Sequence, residues 1–184
     1  MSGSTGEQNA GGGYVVPRLP ASAGALIFDR RGRLLILKPT YKSGWTIPGG
    51  VIEADGETPW QACQREVREE CGLAVGGGRL VCTDFRSPTA SSPGGIRFLF
   101  DCGALPDCDF ASLVLQPDEI AEYRLLPVAD ALPLLRGPIR RRVRAVRKRD
   151  GTPRQRPIVY LENGRPPPPV RKPGPTGSER RRGR

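Results

Sequence analysis

The strongest constraint on this chain lies between Pro48 and Leu73, where a glycine loop opens onto a helix carrying Glu66, Glu69 and Glu70 on one arc. Residues three and four apart are neighbours on a helix, so Glu66 faces both other glutamates and three like charges crowd one patch. That repulsion is costly unless a cation sits there. The helix itself is well signalled. Thr58 suits the N-cap, Pro59 the first helical position, Gln61 the returning side chain of a capping box, and Gly72 a left-handed stop. At about 100° of rotation per residue, Trp60, Cys63, Val67 and Cys71 share the face expected to bury against a sheet. Ala62 falls on the acidic arc, where its small side chain is expected to leave room for a bulky anion.

A hard divalent cation with oxygen ligands answers the crowding most simply. Mg²⁺ held by a few carboxylates keeps several waters and shares substrate phosphates. Arg65 is placed to pair with Glu69 one turn on, orienting a ligand without filling the site. The chain has no histidine. That removes Ser-His-Asp and Cys-His catalysis and any imidazole ligand, so carboxylates must carry the acid and base chemistry.

From Glu57 the chain reads seven residues and then Arg65-Glu66-Val67-Arg68-Glu69-Glu70-Cys71-Gly72-Leu73. This resembles the box of the Nudix hydrolases: a glycine, five residues, Glu, seven residues, then Arg-Glu-apolar-x-Glu-Glu-x-Gly-apolar. One feature departs from it, because six residues separate Gly50 from Glu57 and the loop Val51 to Gly56 is one residue longer. The resemblance spans about Ser22 to Gly164 and implies an α/β fold, a Nudix-type α/β/α sandwich around a mixed β-sheet. It implies hydrolysis of a pyrophosphate bond in a nucleoside diphosphate linked to another group, with Mg²⁺ as cofactor and Mn²⁺ as the alternative ion. By the same resemblance Glu66, Glu69 and Glu70 hold the metal with the Gly50 carbonyl, Gly49 being the other candidate for that carbonyl. Glu66, Glu119 and Arg65 are then the candidate catalytic residues, with Glu66 or Glu119 as general base. Glu57, Gly49 and Gly72 support the site, and Arg65 with Glu57 holds helix to loop. The expected partner is a nucleotide-type small molecule, and a homodimer is compatible with the resemblance. Two rivals stand beside this reading: a non-catalytic nucleotide sensor, and an RNA 5′-end pyrophosphohydrolase that docks RNA on a basic carboxy-terminal region.

The net charge of +10 is unevenly spread: 12 Lys and Arg stand against 16 Asp and Glu up to Leu135, and 17 against 3 from Arg136 onward. Much of that excess falls on Pro138 to Asp150, read as a helix with Ile139, Val143 and Val146 inward and arginines around the rest. A solvated helix face and a solubilising tail are favoured over nucleic-acid binding, because no recognisable nucleic-acid module accompanies the charge. Residues 1–20 and 165–184 read as disordered arms around a domain over 21–164. No apolar run approaches the roughly 18–20 residues of a membrane span, and the first residues are not a signal sequence, so a cytoplasmic protein with no membrane partner is expected. Five cysteines without a C-x-x-C read as reduced thiols, with Cys102 and Cys108 the only loose candidates for a pair.

The remaining pattern alternates strands and turns. Ala23 to Phe28 and Leu34 to Leu37 form a hairpin around Arg31-Gly32, Arg79 to Phe85 and Ile96 to Asp101 form two further strands, and Ile158 to Leu161 a last one. Arg86 to Gly95 is a loop and a candidate substrate-facing segment. Pro106 to Pro117 reads as irregular, and Ala129 to Leu135 as a short helix. Trp45 is expected to pack rather than stack on a base. Glu119 sits at the edge of a loop leading into a strand from which Glu122 points to solvent.

Overall fold

Residues 18–90, 92–154 and 157–167 are described in a computed structural model of the chain. Its central strand, β1 (Ala21–Phe28), carries apolar side chains toward both faces, as a strand covered on two sides must. Along one edge β5 (Gly95–Ala104) runs parallel to it over its whole length. The other edge is shared between two strands. β3 (Gly49–Val51) pairs antiparallel with Ser22 to Gly24, and β2 (Leu34–Pro39) pairs antiparallel at Phe28. Beyond these lie β6 (Ile120–Leu126) on β2, β4 (Arg79–Arg86) on β5 and β7 (Val159–Glu162) on β4, the last in parallel. The sheet is therefore mixed and seven-stranded.

Alternation along β1 and β2 sends Ala23, Ala25, Ile27, Leu35 and Leu37 to one face, where α1 (Pro59–Cys71) buries Ala62, Cys63, Val67 and Cys71. Phe110 of α2 (Asp107–Ala111) closes the end of that layer. Leu26, Phe28, Leu34 and Ile36 point the other way, beneath α3 (Val128–Leu134) and α4 (Gly137–Val146), which contribute Val128, Ala131, Leu132, Val143 and Val146. Two helical layers around a mixed sheet make the expected α/β/α sandwich.

Several local expectations are corrected. The stretch read as irregular contains α2, whose first turn carries Asp107 and Asp109 where a helix N-terminus favours negative charge. α4 stops at Val146 rather than at Asp150, because Arg147 turns extended and bridges to Pro153. Arg147 is not on a solvated face: it is buried, stacks 4.3 Å over the Phe28 ring and pairs with Asp101. Arg142 is likewise drawn inward, its Nε 2.7 Å from the fully buried Asp84 carboxylate. Ala62, placed by sequence beside a ligand, lies fully buried in the core under α1. Cys102 and Cys108 are both free thiols. Trp45 packs in the core, with Arg124 stacked 4.7 Å from its ring. The arms expected over 1–20 and 165–184 lie outside the described residues apart from 18–20 and 165–167.

Candidate active site

Helix α1 is bounded as its sequence dictates. The Thr58 hydroxyl accepts the Gln61 N–H at 3.3 Å, the Gln61 side-chain oxygen accepts the Thr58 N–H at 2.9 Å, and Gly72 ends the helix at φ 67°. With both ends fixed, the apolar face can meet the sheet in only one rotation. That rotation turns Glu66 and Glu70 toward β3.

Each of the two loop glycines serves one of these glutamates. The Gly49 N–H donates to Glu70 Oε2 at 2.7 Å. Gly49 has φ 141°, and a Cβ there would come within 2.3 Å of the Ala23 carbonyl oxygen, so the strand pairing leaves no room for a side chain. At Gly50 a Cβ would lie 2.3 Å from Glu66 Oε1. The Glu66 carboxylate thus rests directly on bare backbone.

Arg65 ties loop and helix together. Its guanidinium donates to both Glu57 oxygens at 2.8 and 3.0 Å, to the Val51 carbonyl at 2.9 Å, to Glu66 Oε1 at 3.0 Å and to Glu69 Oε2 at 2.9 Å. These bonds, to Glu57 first, raise its affinity for its proton, and the same pair, with the Glu53 N–H, holds Glu57 below the usual carboxylate range. The longer loop is taken up in a turn at Ala54 to Gly56, where Asp55 Oδ1 accepts the Glu57 N–H at 3.0 Å. Glu57 still reaches Arg65.

The electrostatics of the patch are unfavourable without a cation. Burial, then the charges of Glu66 and Glu119, push the Glu70 carboxyl up to about 8, against the Gly49 N–H and Lys42, which favour its charged form. Glu66 is also raised, first by burial and then by Glu69 and Glu119, although Arg65 opposes this. Glu119, exposed just before β6, adds its charge to that felt by both carboxyls, while Glu122 pairs with Arg124 at the surface. Glu69 is 56% exposed and rests on Arg65. Among the described residues no three carboxylates stand close enough together, as placed, to hold an ion. The donor set nevertheless fits a hard divalent cation: all its side-chain donors are oxygen, and two of them, Glu66 and Glu70, are at least half-buried and held against their own repulsion.

On the far wall of the glycine loop opens a cavity of about 410 Å³, a size suited to a small-molecule ligand. Gly49, Gly50 and Val51 line one side, and Lys42, Arg86, Arg97, Arg136 and Arg142 converge on it with Tyr41, Phe98 and Ile139. Sequence reasoning missed these cations. Among the described residues of the loop marked as substrate-facing, Arg86 at its first position is the one that lines the cavity. A usable signal existed in β4 and β5, where Asp84, Arg86 and Arg97 interrupt the inward-facing series of Cys82 and Leu99 with charge.

Two relatives by sequence are a MutT-like protein of Streptomyces ambofaciens, 39% identical over 32% of this chain and 38% of that protein, and an RNA pyrophosphohydrolase of Mannheimia succiniciproducens, 42% identical over 33% of this chain and 30% of that protein. Each match spans only about a third of the relative. Among solved structures, a MutT protein from Methanosarcina mazei Go1 superposes with a TM-score of 0.59 and 25% identity over 68% of this chain and 91% of that one. The NUDIX domain model matches residues 18–146, which takes in the glycine loop, all of α1 and Glu119. The chain belongs to the NUDIX domain family.

Proposed function

We propose that the protein is a metal-dependent pyrophosphohydrolase that cleaves a nucleoside diphosphate linked to another group. One observation carries this reading: buried, mutually repelling carboxylates on α1 abut a glycine loop whose other side faces a cationic cavity. Negative charge on one side and positive charge on the other suit a substrate whose phosphates must be gripped while the water beside them loses a proton. In this reading Glu66, Glu69 and Glu70, with a carbonyl of the Gly49-Gly50 loop, hold Mg²⁺ or Mn²⁺. Such an ion, when bound, neutralises charge developing on the pyrophosphate and makes water easier to deprotonate.

The protein's own residues do the rest. Arg65 and Glu57 fix the distance between loop and helix, and Arg65 keeps Glu66 and Glu69 from drifting apart. Glu66, whose carboxyl is pushed above its ordinary value by burial and then by Glu69 and Glu119, or Glu119 takes the water proton. Lys42 and the cavity arginines orient the phosphates. Incubation with Mg²⁺ or Mn²⁺ and a panel of nucleoside triphosphates, ADP-ribose, NADH, dinucleoside polyphosphates and nucleotide sugars is expected to release phosphate or a nucleoside monophosphate from at least one. Tight binding without turnover across the panel would instead identify a nucleotide sensor.

A further inference from the structure

The cavity beside the glycine loop carries more positive charge than a pyrophosphate pair calls for. Among the described residues five cations line it, and no carboxylate does. The nearest buried acid, Asp84, is committed to Arg142 at 2.7 Å and to the Gly164 N–H at 2.8 Å. Arg97 is half-buried and spends its guanidinium on the carbonyls of Pro20, Ile96 and Gly94, at 3.0–3.3 Å. Arg86 and Arg136 make no ion pair among the described residues. Arg142 and Arg86 crowd Arg97, and that crowding, after burial, lowers Arg97's hold on its proton. Like charges gathered in a concave, partly desolvated site repel one another unless an anion enters.

Geometry links this surplus to the acidic cluster. Gly49 and Gly50 form a wall of the cavity on one side and carry Glu70 and Glu66 on the other. Lys42 lines the cavity and its charge reaches Glu70. A phosphate chain lying across the glycines extends naturally into the arginines. We propose that the cavity is a subsite for phosphate beyond the scissile pair, so that the substrate carries three or more phosphates in a row. This distinguishes a triphosphate or longer chain from ADP-ribose or a nucleotide sugar, whose pyrophosphate ends in a neutral sugar. The inference rests on the acidic cluster being the hydrolytic site. The triphosphate can stand on a free nucleotide or on the 5′ end of an RNA.

The test is equilibrium binding to the full chain in EDTA, so that affinity is read without turnover. Inorganic tripolyphosphate is expected to bind about tenfold or more tightly than pyrophosphate, and ATP tighter than ADP-ribose by a similar factor. Arg86→Ala and Lys42→Ala are each expected to weaken tripolyphosphate binding by about tenfold, with circular dichroism unchanged. Glu70→Gln, which is expected to lose turnover, is expected to keep that binding. An RNA oligonucleotide with a 5′-triphosphate is compared with the same sequence ending in hydroxyl. A tighter triphosphate end supports the subsite, and competition with ATP then ranks the two sources. Equal binding of both RNA ends, equal affinity for ATP and ADP-ribose, or indifference to Arg86→Ala and Lys42→Ala would overturn the proposal even if turnover is observed. Loss of turnover in every assay with tripolyphosphate binding intact would instead remove the hydrolytic reading and leave the anion site.

Discussion

At the scale of single residues, two glycines accommodate two carboxylates. Gly50→Ala puts a methyl into the space of the Glu66 carboxylate, so turnover is expected to fall by about 10²-fold or more while the melting temperature shifts only slightly. Gly49→Ala is expected to act on stability instead. Its φ of 141° and the 2.3 Å approach to the Ala23 carbonyl force strain of about 1–3 kcal/mol or more, read as a lowered denaturation midpoint. Glu70 gives a pH signature with a definite sign. Its carboxyl sits near 8 in the folded chain against an ordinary value of 4.5, so between those values the folded state binds a proton that the unfolded state has lost. Metal-free stability is therefore expected to fall as pH rises from about 4.5 to about 8, and Glu70→Gln to flatten that slope, in thermal melts recorded in EDTA. These residues were legible in the sequence because chemistry and spacing coincide within one helix and the loop before it. Ala62 was misread because helical rotation alone does not say where the sheet lies. The sheet takes Ala62 together with Cys63.

At the scale of elements, α1 and α4 show why local patterns succeed in one helix and fail in the other. The caps of α1 are side chain to backbone contacts within a few residues, so Thr58, Gln61 and Gly72 announce them directly. In α4 the apolar stripe of Ile139, Val143 and Val146 was equally plain, but the fate of its arginines depends on strands far away in the chain. Arg142 meets Asp84 of β4, and Arg147, just past the helix, meets Asp101 of β5. A basic helix thus serves partly as an internal fastener. Arg142→Met is expected to cost about 3–5 kcal/mol in chemical denaturation, because it leaves the Asp84 carboxylate fully buried without its partner. Adding Asp84→Asn to that variant is expected to restore much of the loss. An equal or larger loss in the double variant would mean that packing, rather than charge, makes Arg142 important.

For the whole molecule, the sandwich places two sites of opposite charge back to back across one short strand. The acidic side lies on α1, with Glu119 just before β6 adding its charge, and the cationic side is built from β4, β5, α4 and the loop before β3. The strand pattern and the resemblance of the box made the fold and the acidic side readable. The cationic side was not, because Lys42, Arg86, Arg97, Arg136 and Arg142 converge only once β5 lies parallel to β1 and α4 packs over them. The same arrangement modifies the reading of net charge: part of the carboxy-terminal excess points into a cavity rather than into solvent. The proposed activity depends on the glutamates of α1 acting on phosphate through a bound cation. The most direct measurement compares the wild-type chain and Glu70→Gln for Mg²⁺-dependent release of phosphate or nucleoside monophosphate, with EDTA as control. Turnover by the wild type that EDTA abolishes is expected, with a loss of about 10²-fold or more in a folded Glu70→Gln protein. Wild-type turnover in the variant, or turnover that persists in EDTA, would contradict it.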